Sequence, residues 1–532
     1  MSFQYLSFQR SPPARLQYGQ QVVISPLVTN DLREAKFNPE EGELPIEIAW
    51  VRENGARQWT LVKREEQIKW RGEETSWKKV ELTAPSREEM RTQEGKSCVR
   101  LAMWVANQGR TRRAGQKQNG NSSSGSSRPF KKPRTGSGKD LCEAELLNRL
   151  VVDPYEATIR AMRDQEDVFL PVLTPPIMLY GHDGPSAVLN GGQTQKFSEI
   201  ARLWHIPPSW THRCQAADDN GASRRYIEVR EELGYQLDKH VWDASLALMA
   251  SLCLKPQERL IQQDQCDKSS SGPPPQDLFA AARGCVSIEL GTGTGLLSLW
   301  LDKVRRSSAV ATAGSSTPER DQTCRLFLTD LEDSLALAES NACLNADNTE
   351  VPSCTSPEGA GSGNASTLRM LGLDWFSTGL QPELVEAIEG SYKGQDSGIN
   401  LTAAPPRPHL LVLASDCSYN PDAYPALAGT IKRLLGAGDA SSSDSQASDQ
   451  RQAMCLLAKK HRNPDEQSLW DALLNEGLQV TLQQGWHDDY TRHAGIAEGE
   501  DIDPGDAVEN AREQEGLGKC GIYLITLAGC EV

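Results

Sequence analysis

Ile288-Glu289-Leu290-Gly291-Thr292-Gly293-Thr294-Gly295-Leu296-Leu297-Ser298 is the stretch on which the reading of this chain turns. The apolar run CVSIEL (285–290) enters it as a buried strand, and GLLSLWLDKV (295–304) leaves it as a helix. Glycines at 291, 293 and 295 mark the turn, where the backbone must bend tightly and approach a ligand closely. Their spacing discriminates among ligands. A dinucleotide loop of the form GxGxxG needs glycine at 291, 293 and 296, and position 296 is leucine. The pattern is E-x-G-x-G-x-G instead. A carboxylate at Glu289 would repel a pyrophosphate, and it would attract a ligand that carries an ammonium and a sulfonium.

Strand and helix patterns alternate outward from this loop. Further strands are expected at CRLFLT (324–329), TLRMLGL (367–373), HLLVLA (409–414), AMCLLA (453–458), LQVTLQQ (478–484) and GIYLITL (521–527). Helices are expected at SLALAESNACLN (334–345) and PALAGTIKRLL (425–435). Continuous apolar strands that alternate with helices predict a sheet buried on both faces and mostly parallel. The last two strands have no helix pattern between them, so they are expected to pair antiparallel. Polar stretches at 262–276, 305–323, 350–366, 390–408, 436–452 and 488–518 read as surface insertions, being longer than the loops of compact domains.

In such sheets ligands bind at the carboxyl ends of the strands. The second strand closes on Leu328-Thr329-Asp330, where a carboxylate can accept hydrogen bonds from ribose hydroxyls. Asp330 could also cap the helix that begins near Glu332. A nucleoside with an ammonium and a sulfonium is S-adenosylmethionine, and the residues suit it better than NAD(P).

With these residues the segment from about 223 to 532 resembles the seven-β-strand S-adenosylmethionine-dependent methyltransferases. Within them it is similar to the protein-lysine methyltransferases marked by a DxxY motif, here Asp416-Cys417-Ser418-Tyr419 at the end of the fourth strand. Val241-Trp242-Asp243-Ala244 resembles the family's tryptophan helix before the glycine loop. Thr329-Asp330-Leu331 with Asn341 and Asn345 resembles its second-strand signature. Leu373-Asp374-Trp375 resembles its adenine-side segment, and Arg462 and Trp470 fall where the family has an arginine and then an aromatic. The resemblance implies a Rossmann-like α/β fold: a seven-stranded, mostly parallel sheet with an antiparallel last strand. It implies transfer of a methyl group from S-adenosylmethionine to a lysine of a protein substrate. Glu289, Gly291, Gly293 and Gly295 would cradle the methionine part, Asp330 the ribose and Trp375 the adenine. Trp242 would border the methionine end, with Ser415 a further cofactor contact. Asp416 and Tyr419 are the candidate catalytic residues and would face the acceptor amine. No metal is implied, and Cys417 reads as a small filler. A small-molecule or N-terminal amine acceptor, and a non-catalytic cofactor-binding scaffold, are the competing readings.

Residues 1–109 carry a different pattern. VVISPLV (22–28), IEIAWV (46–51), QWTLV (58–62), WKKVEL (77–82) and VRLAMWV (99–105) predict a small β-rich domain of unstated role. Between 110 and 140 lies a flexible basic linker: from Arg110 to Lys139 there are nine Lys and Arg and no acid. Its clusters Arg112–Arg113 and Lys131–Arg134 could serve as a nuclear address. Residues 141–222 read as a helical and mixed bridge, and 223–532 as the methyltransferase domain with its insertions.

Composition bounds the function class. The chain of 532 residues has a net charge of −16, which argues against a nucleic-acid coat. Ten acids against two arginines in 488–518 leave room for a basic partner there. No apolar run approaches the length of a bilayer span, so no membrane partner is expected. The 13 cysteines form no CxxC pair and no zinc spacing, as for reduced thiols in cytoplasm or nucleus.

Overall fold

Short β-branched and aromatic runs of the N-terminal part build mainly antiparallel sheets, and the longer apolar runs after residue 285 build a mostly parallel one. A computed structural model describes residues 3–33, 35–39, 42–53, 59–76, 78–91, 98–106, 143–163, 166–180, 196–207, 226–234, 236–253, 285–312, 325–346, 368–393, 409–437, 453–462, 467–485 and 520–528. The chain divides into two units. One comprises residues 4–152 and 168–202; the other comprises 1–3, 153–167 and 203–532.

In the first unit Phe3–Arg10 pairs antiparallel with Gln21–Thr29, and Val80–Thr83 and Val168–Leu170 complete a four-stranded sheet. A second sheet centres on Leu44–Glu53, which pairs with Cys98–Val105, Trp59–Arg64 and Ile68–Trp70. Cys98–Val105 in turn pairs with Val172–Leu173 and Ile177–Tyr180. The buried indoles of Trp50, Trp70 and Trp104 donate to Glu65 Oε1, the Phe37 carbonyl and Glu47 Oε2. Arg202 is fully buried and donates to the carbonyls of Leu170, Pro171 and Leu6, so its charge is satisfied by main-chain dipoles.

The division differs from the one expected of 141–222. Glu143–Leu150 and Pro154–Thr158 are helical, as the sequence suggests. Val168–Leu170, Val172–Leu173 and Ile177–Tyr180, however, are strands of the first unit's sheets rather than parts of a bridge. Runs of two to four residues broken by Pro171, Pro175 and Pro176 are too short to show a period of two. Phe3–Arg10 is a further strand, which buries Phe3, Tyr5, Leu6 and Phe8. The basic stretch 110–140 lies outside the described residues.

The second unit holds helix α1 (Asp243–Cys253) and a sheet of seven strands. They are β1 (Val286–Leu290), β2 (Leu326–Asp330), β3 (Leu368–Gly372), β4 (Leu410–Ser415), β5 (Ala453–Lys460), β6 (Leu478–Gly485) and β7 (Cys520–Leu527). Their spatial order is β3-β2-β1-β4-β5-β7-β6. β1 to β5 run parallel, and β7 runs antiparallel to both neighbours. The connections carry α2 (Leu296–Thr312), α3 (Leu335–Asn345), α4 (Pro382–Lys393), α5 (Tyr424–Gly436) and α6 (Ser468–Asn475).

Every residue of β1 and β4 is buried, the signature of central strands covered on both faces. Ile288, Val412 and Cys455 share one core with Leu384 of α4, Ile431 of α5 and Leu473 of α6. Leu411 and Leu413 are buried on the opposite face. α2 runs further than its pattern suggests, and α4 is a helix that the sequence reading did not single out, so residues 305–312 and 390–393 are helical rather than inserted. Arg305 explains the first extension: its guanidinium reaches Ser287 Oγ of β1 at 2.5 Å, and polarity there marks a contact, not a loop. The stretches 262–276, 350–366 and 488–518 lie outside the described residues. Among those described, no helix is long and apolar enough to cross a membrane.

Candidate active site

The carboxyl ends of β1, β2 and β4 converge on the glycine loop. Gly291, Gly293 and Gly295 all have positive φ, at 63°, 52° and 80°, a region costly for any residue with a Cβ. Space enforces the same choice. A Cβ at 291 would stand 3.1 Å from Cys417 Sγ and 3.5 Å from the Trp375 ring. One at 293 would stand 3.1 Å from the Asp238 carbonyl. Gly295 serves packing instead, because its Cβ would meet Ala338 of α3 and Leu299 of α2 at 3.3 Å.

Glu289, next to last in β1, has its carboxyl buried and accepts a hydrogen bond from Thr292 Oγ1 at 2.8 Å. Burial pushes its pKa up to about 7, the nearby negative charge of Asp330 adds to this, and the bonds from Ser298 and Thr292 oppose it. Asp330 does not cap the following helix. Its Oδ2 accepts from the Gly293 amide at 2.9 Å and its Oδ1 from the Leu331 amide at 2.8 Å. β2 is thereby tied across to the loop, and burial again pushes the carboxyl up.

One residue absent from the sequence reading joins them. The turn Leu237–Lys239 brings the Asp238 carbonyl over Gly293, and Lys239 Nζ contacts Asp238 Oδ2 at 3.0 Å and the Ser334 carbonyl at 3.3 Å. A strap lies over the loop as a result. Its only signal in the sequence is an acid–base pair just before Trp242.

The DxxY turn lies at the end of β4. Asp416 has φ of 56°, one of two positive-φ residues other than glycine among the described residues. Its amide extends the β4–β5 ladder to the Ala458 carbonyl at 2.9 Å. Both its carboxylate oxygens are gripped by Arg462, at 2.6 and 2.5 Å. The guanidinium in turn lies 5.1 Å from the centre of the Trp242 ring. Ser415 Oγ meets Ser245 Oγ of α1 at 2.9 Å. Cys417 Sγ donates to the Leu290 carbonyl at 3.0 Å, and burial holds its thiol well above the usual range, so it is inert filler.

Tyr419 is 58% exposed at the rim. Partial burial, with the negative charges of Asp330 and Asp238 adding to it, pushes its hydroxyl up, which keeps it a neutral phenol at physiological pH. Trp375 packs against the core under α4 and α5, its carbonyl accepting from Thr430 and Arg433. Trp242, Glu289, Gly291, Gly293, Asp330, Trp375, Ser415, Asp416 and Tyr419 therefore all lie in one unit. Gly295 is packed against Ala338, Leu299 and Leu328. Among the described residues no His, Cys, Asp and Glu cluster suits a metal ion.

The arrangement fits a compact cationic nucleoside. At Gly291 and Gly293 the bare backbone comes close to Cys417, Trp375 and the Asp238 carbonyl, and among the described residues no basic side chain bonds the buried Glu289 carboxyl beside them. A family model described as lysine methyltransferase matches residues 222–354, the stretch that carries Trp242, the glycine loop and Asp330. Comparison with curated proteins gives no match. Among solved structures the chain is similar to a chain of the Haloferax volcanii complex between the Trm112 methyltransferase activator and the methyltransferase. That likeness has 10% identity over 48% of this chain and 90% of the other, with a TM-score of 0.20. The CurJ carbon methyltransferase gives 12% over 54% and 67%, with a TM-score of 0.18. Haemonchus contortus phosphoethanolamine N-methyltransferase 2 with S-adenosyl-L-methionine gives 9% over 63% and 70%, with a TM-score of 0.21. TM-scores this low do not bear on the fold.

Proposed function

We propose how this chain, a lysine methyltransferase that uses S-adenosylmethionine to methylate a protein lysine, divides the work among its residues. The cofactor side is Glu289, Gly291, Gly293, Asp330, Trp375, Trp242 and Ser415; the acceptor side is Tyr419 with the Asp416 turn. The observation that carries this is the pairing of a buried carboxyl, Glu289, with a positive-φ glycine loop whose amide is bonded to Asp330. The strand order supports the same reading, because it sets β2, β1 and β4 side by side with their carboxyl ends together.

When bound, S-adenosylmethionine supplies an electrophilic methyl group on a sulfonium. The protein's part is to bind, align and dehydrate. Glu289 would attract the ammonium of the methionine part, and the amides of the loop would allow close approach. Asp330 keeps lone pairs for ribose hydroxyls beyond the two amides it already accepts from. The Trp375 ring stands beside Gly291 and offers a flat apolar wall for adenine.

A lysine attacks only as a neutral amine, and at pH 7 deprotonation costs about 4.6 kcal/mol, from about 3.4 pH units below its ordinary pKa. Partial burial at the rim and the neighbouring sulfonium reduce this. The exposed Tyr419 ring can stack on the lysine stem and, as a neutral phenol, accept from its amine. The transfer is an in-line displacement, so alignment provides much of the rate. Both sides belong to the unit of 153–167 and 203–532. The acidic stretch 488–518 would draw a basic acceptor region by long-range attraction.

Calorimetric titration of the full chain tests the cofactor. S-adenosylmethionine is expected to bind in the micromolar range, Asp330→Asn to weaken it at least ten-fold, and NADH not to bind. NADH binding without S-adenosylmethionine binding would reverse the choice made on Leu296 and Glu289.

A further inference from the structure

Four consecutive basic residues close β5 and follow it: Lys459 and Lys460 are its last residues, and His461 and Arg462 come just after. They alternate between the two faces of the sheet. Lys459 Nζ lies 5.0 Å from the Trp470 ring and His461 Nε2 lies 3.0 Å from the Tyr523 hydroxyl. Lys460 and Arg462 reach the other way, to Asp243 Oδ2 at 2.5 Å and to Asp416. Asp243 opens α1 immediately after Trp242, so one strand end holds both the tryptophan helix and the DxxY turn.

We propose that Arg462 is a positioning residue for methyl transfer: it occupies the Asp416 carboxylate, so that the acceptor lysine meets the Tyr419 rim rather than a free carboxylate. The inference rests on the lysine-transfer reading given above. The geometry argues for it in three ways. Both oxygens of Asp416 are engaged at ion-pair distance, with its side chain 2% exposed and that of Arg462 16%. A bidentate guanidinium fixes the plane of a carboxylate as well as its charge. Asp416 also sits in left-handed backbone, which costs roughly 1 kcal/mol or more and needs a contact to hold it.

Without that contact, a free carboxylate three residues before the Tyr419 rim would hold the acceptor as an ammonium, the form that cannot attack. The role is therefore protective and geometric. Arg462 keeps the turn in its strained shape and keeps an anion away from the nucleophile. The Trp242 ring beside it helps hold the guanidinium in this position.

Paired substitution separates this from a direct role of Asp416. Tritium transfer from S-adenosylmethionine is measured onto the protein band that the full wild-type chain labels in a lysate lacking it. Arg462→Lys, Arg462→Gln, Asp416→Asn and the double Arg462→Gln/Asp416→Asn variant are compared. Calorimetry with S-adenosylmethionine checks each for folding and cofactor binding. Arg462→Gln and Asp416→Asn are expected to lose at least ten-fold each, since each strands one charge. Arg462→Lys should fall between them and wild type. The double variant strands neither and should regain at least five-fold over Arg462→Gln, with cofactor affinity within about three-fold of wild type throughout. A double variant less than five-fold above Arg462→Gln would overturn the proposal and return the amine contact to Asp416. Cofactor binding lost in Arg462→Lys as well as Arg462→Gln would overturn it by placing Arg462 on the cofactor side. If the wild type binds the cofactor but labels no lysine, the lysine reading itself fails and the inference falls with it.

Discussion

Glu289 carries the sharpest pH signature of any residue in the site. Its pKa of about 7 lies above the ordinary value of 4.5 because burial penalises the charged form. The unliganded fold therefore binds the proton more tightly than the unfolded chain does. This group's contribution to stability is full below about pH 4.5 and is lost as pH rises through about 7. Cofactor binding runs the other way, because an ammonium favours the ionised carboxylate. If only the ionised form binds, affinity for S-adenosylmethionine weakens about ten-fold from pH 8 to pH 6. Glu289→Gln removes that difference, and calorimetry at the two pH values reads it. The same slope in both proteins would remove Glu289 from the cofactor's ammonium. Spacing alone singled out Glu289, Gly291 and Gly293. It missed Asp238, whose neighbours in space come from distant strands; the resemblance set Asp416 and Tyr419 toward the amine, and the Arg462 grip on Asp416 was not legible because it joins residues far apart in the chain.

In the seven-stranded sheet, runs of five residues or more were legible, the polar-faced β6 among them, and elsewhere the shortest ones were not. β1, β2, β4, β5 and β7 stand where continuous apolar runs lie, since strands covered on both faces have no polar side to confuse the pattern. The strands of two to four residues between 168 and 180 carry too few positions for any period. α3 shows how two polar residues can serve as structure. Asn341 and Asn345, one helical turn apart, face the strand Tyr226–Glu232 and replace a neighbouring strand for it. Asn341 Oδ1 accepts from the Arg230 amide, and its Nδ2 donates to the carbonyls of Arg230 and Thr294. It is fully buried, so Asn341→Ala leaves three main-chain groups without this partner. The expected loss is about 2–4 kcal/mol, read as a lower urea midpoint with unchanged slope. A loss below about 0.5 kcal/mol would mean that the helix–strand contact rests on packing alone. The Thr294 bond makes the glycine loop part of the same contact, so S-adenosylmethionine binding should weaken together with stability.

At the scale of the whole molecule, net charge and length concealed a division that the fold makes plain. The glycine loop, the strap, the DxxY turn and the basic strand end all fall in one unit, and the N-terminal sheets form the other. Sequence reading found the two kinds of sheet and drew boundaries at 109, 140 and 222, whereas the chain leaves the first unit at 152 and returns to it from 168 to 202. Such a return cannot be read from local pattern, which shows what each stretch forms and not which sheet it joins. The catalytic reading depends on one unit only, and its central claim is chemical: the methyl group ends on the side-chain nitrogen of a protein lysine. The direct measurement is acid hydrolysis of the protein labelled with tritiated S-adenosylmethionine by the full chain, followed by separation of its amino acids. The account predicts tritium in ε-N-methyl-lysine and its loss when Tyr419→Ala replaces the wild type. Tritium in methyl-arginine, in an N-terminal residue or in a small molecule, with none in methyl-lysine, would contradict it.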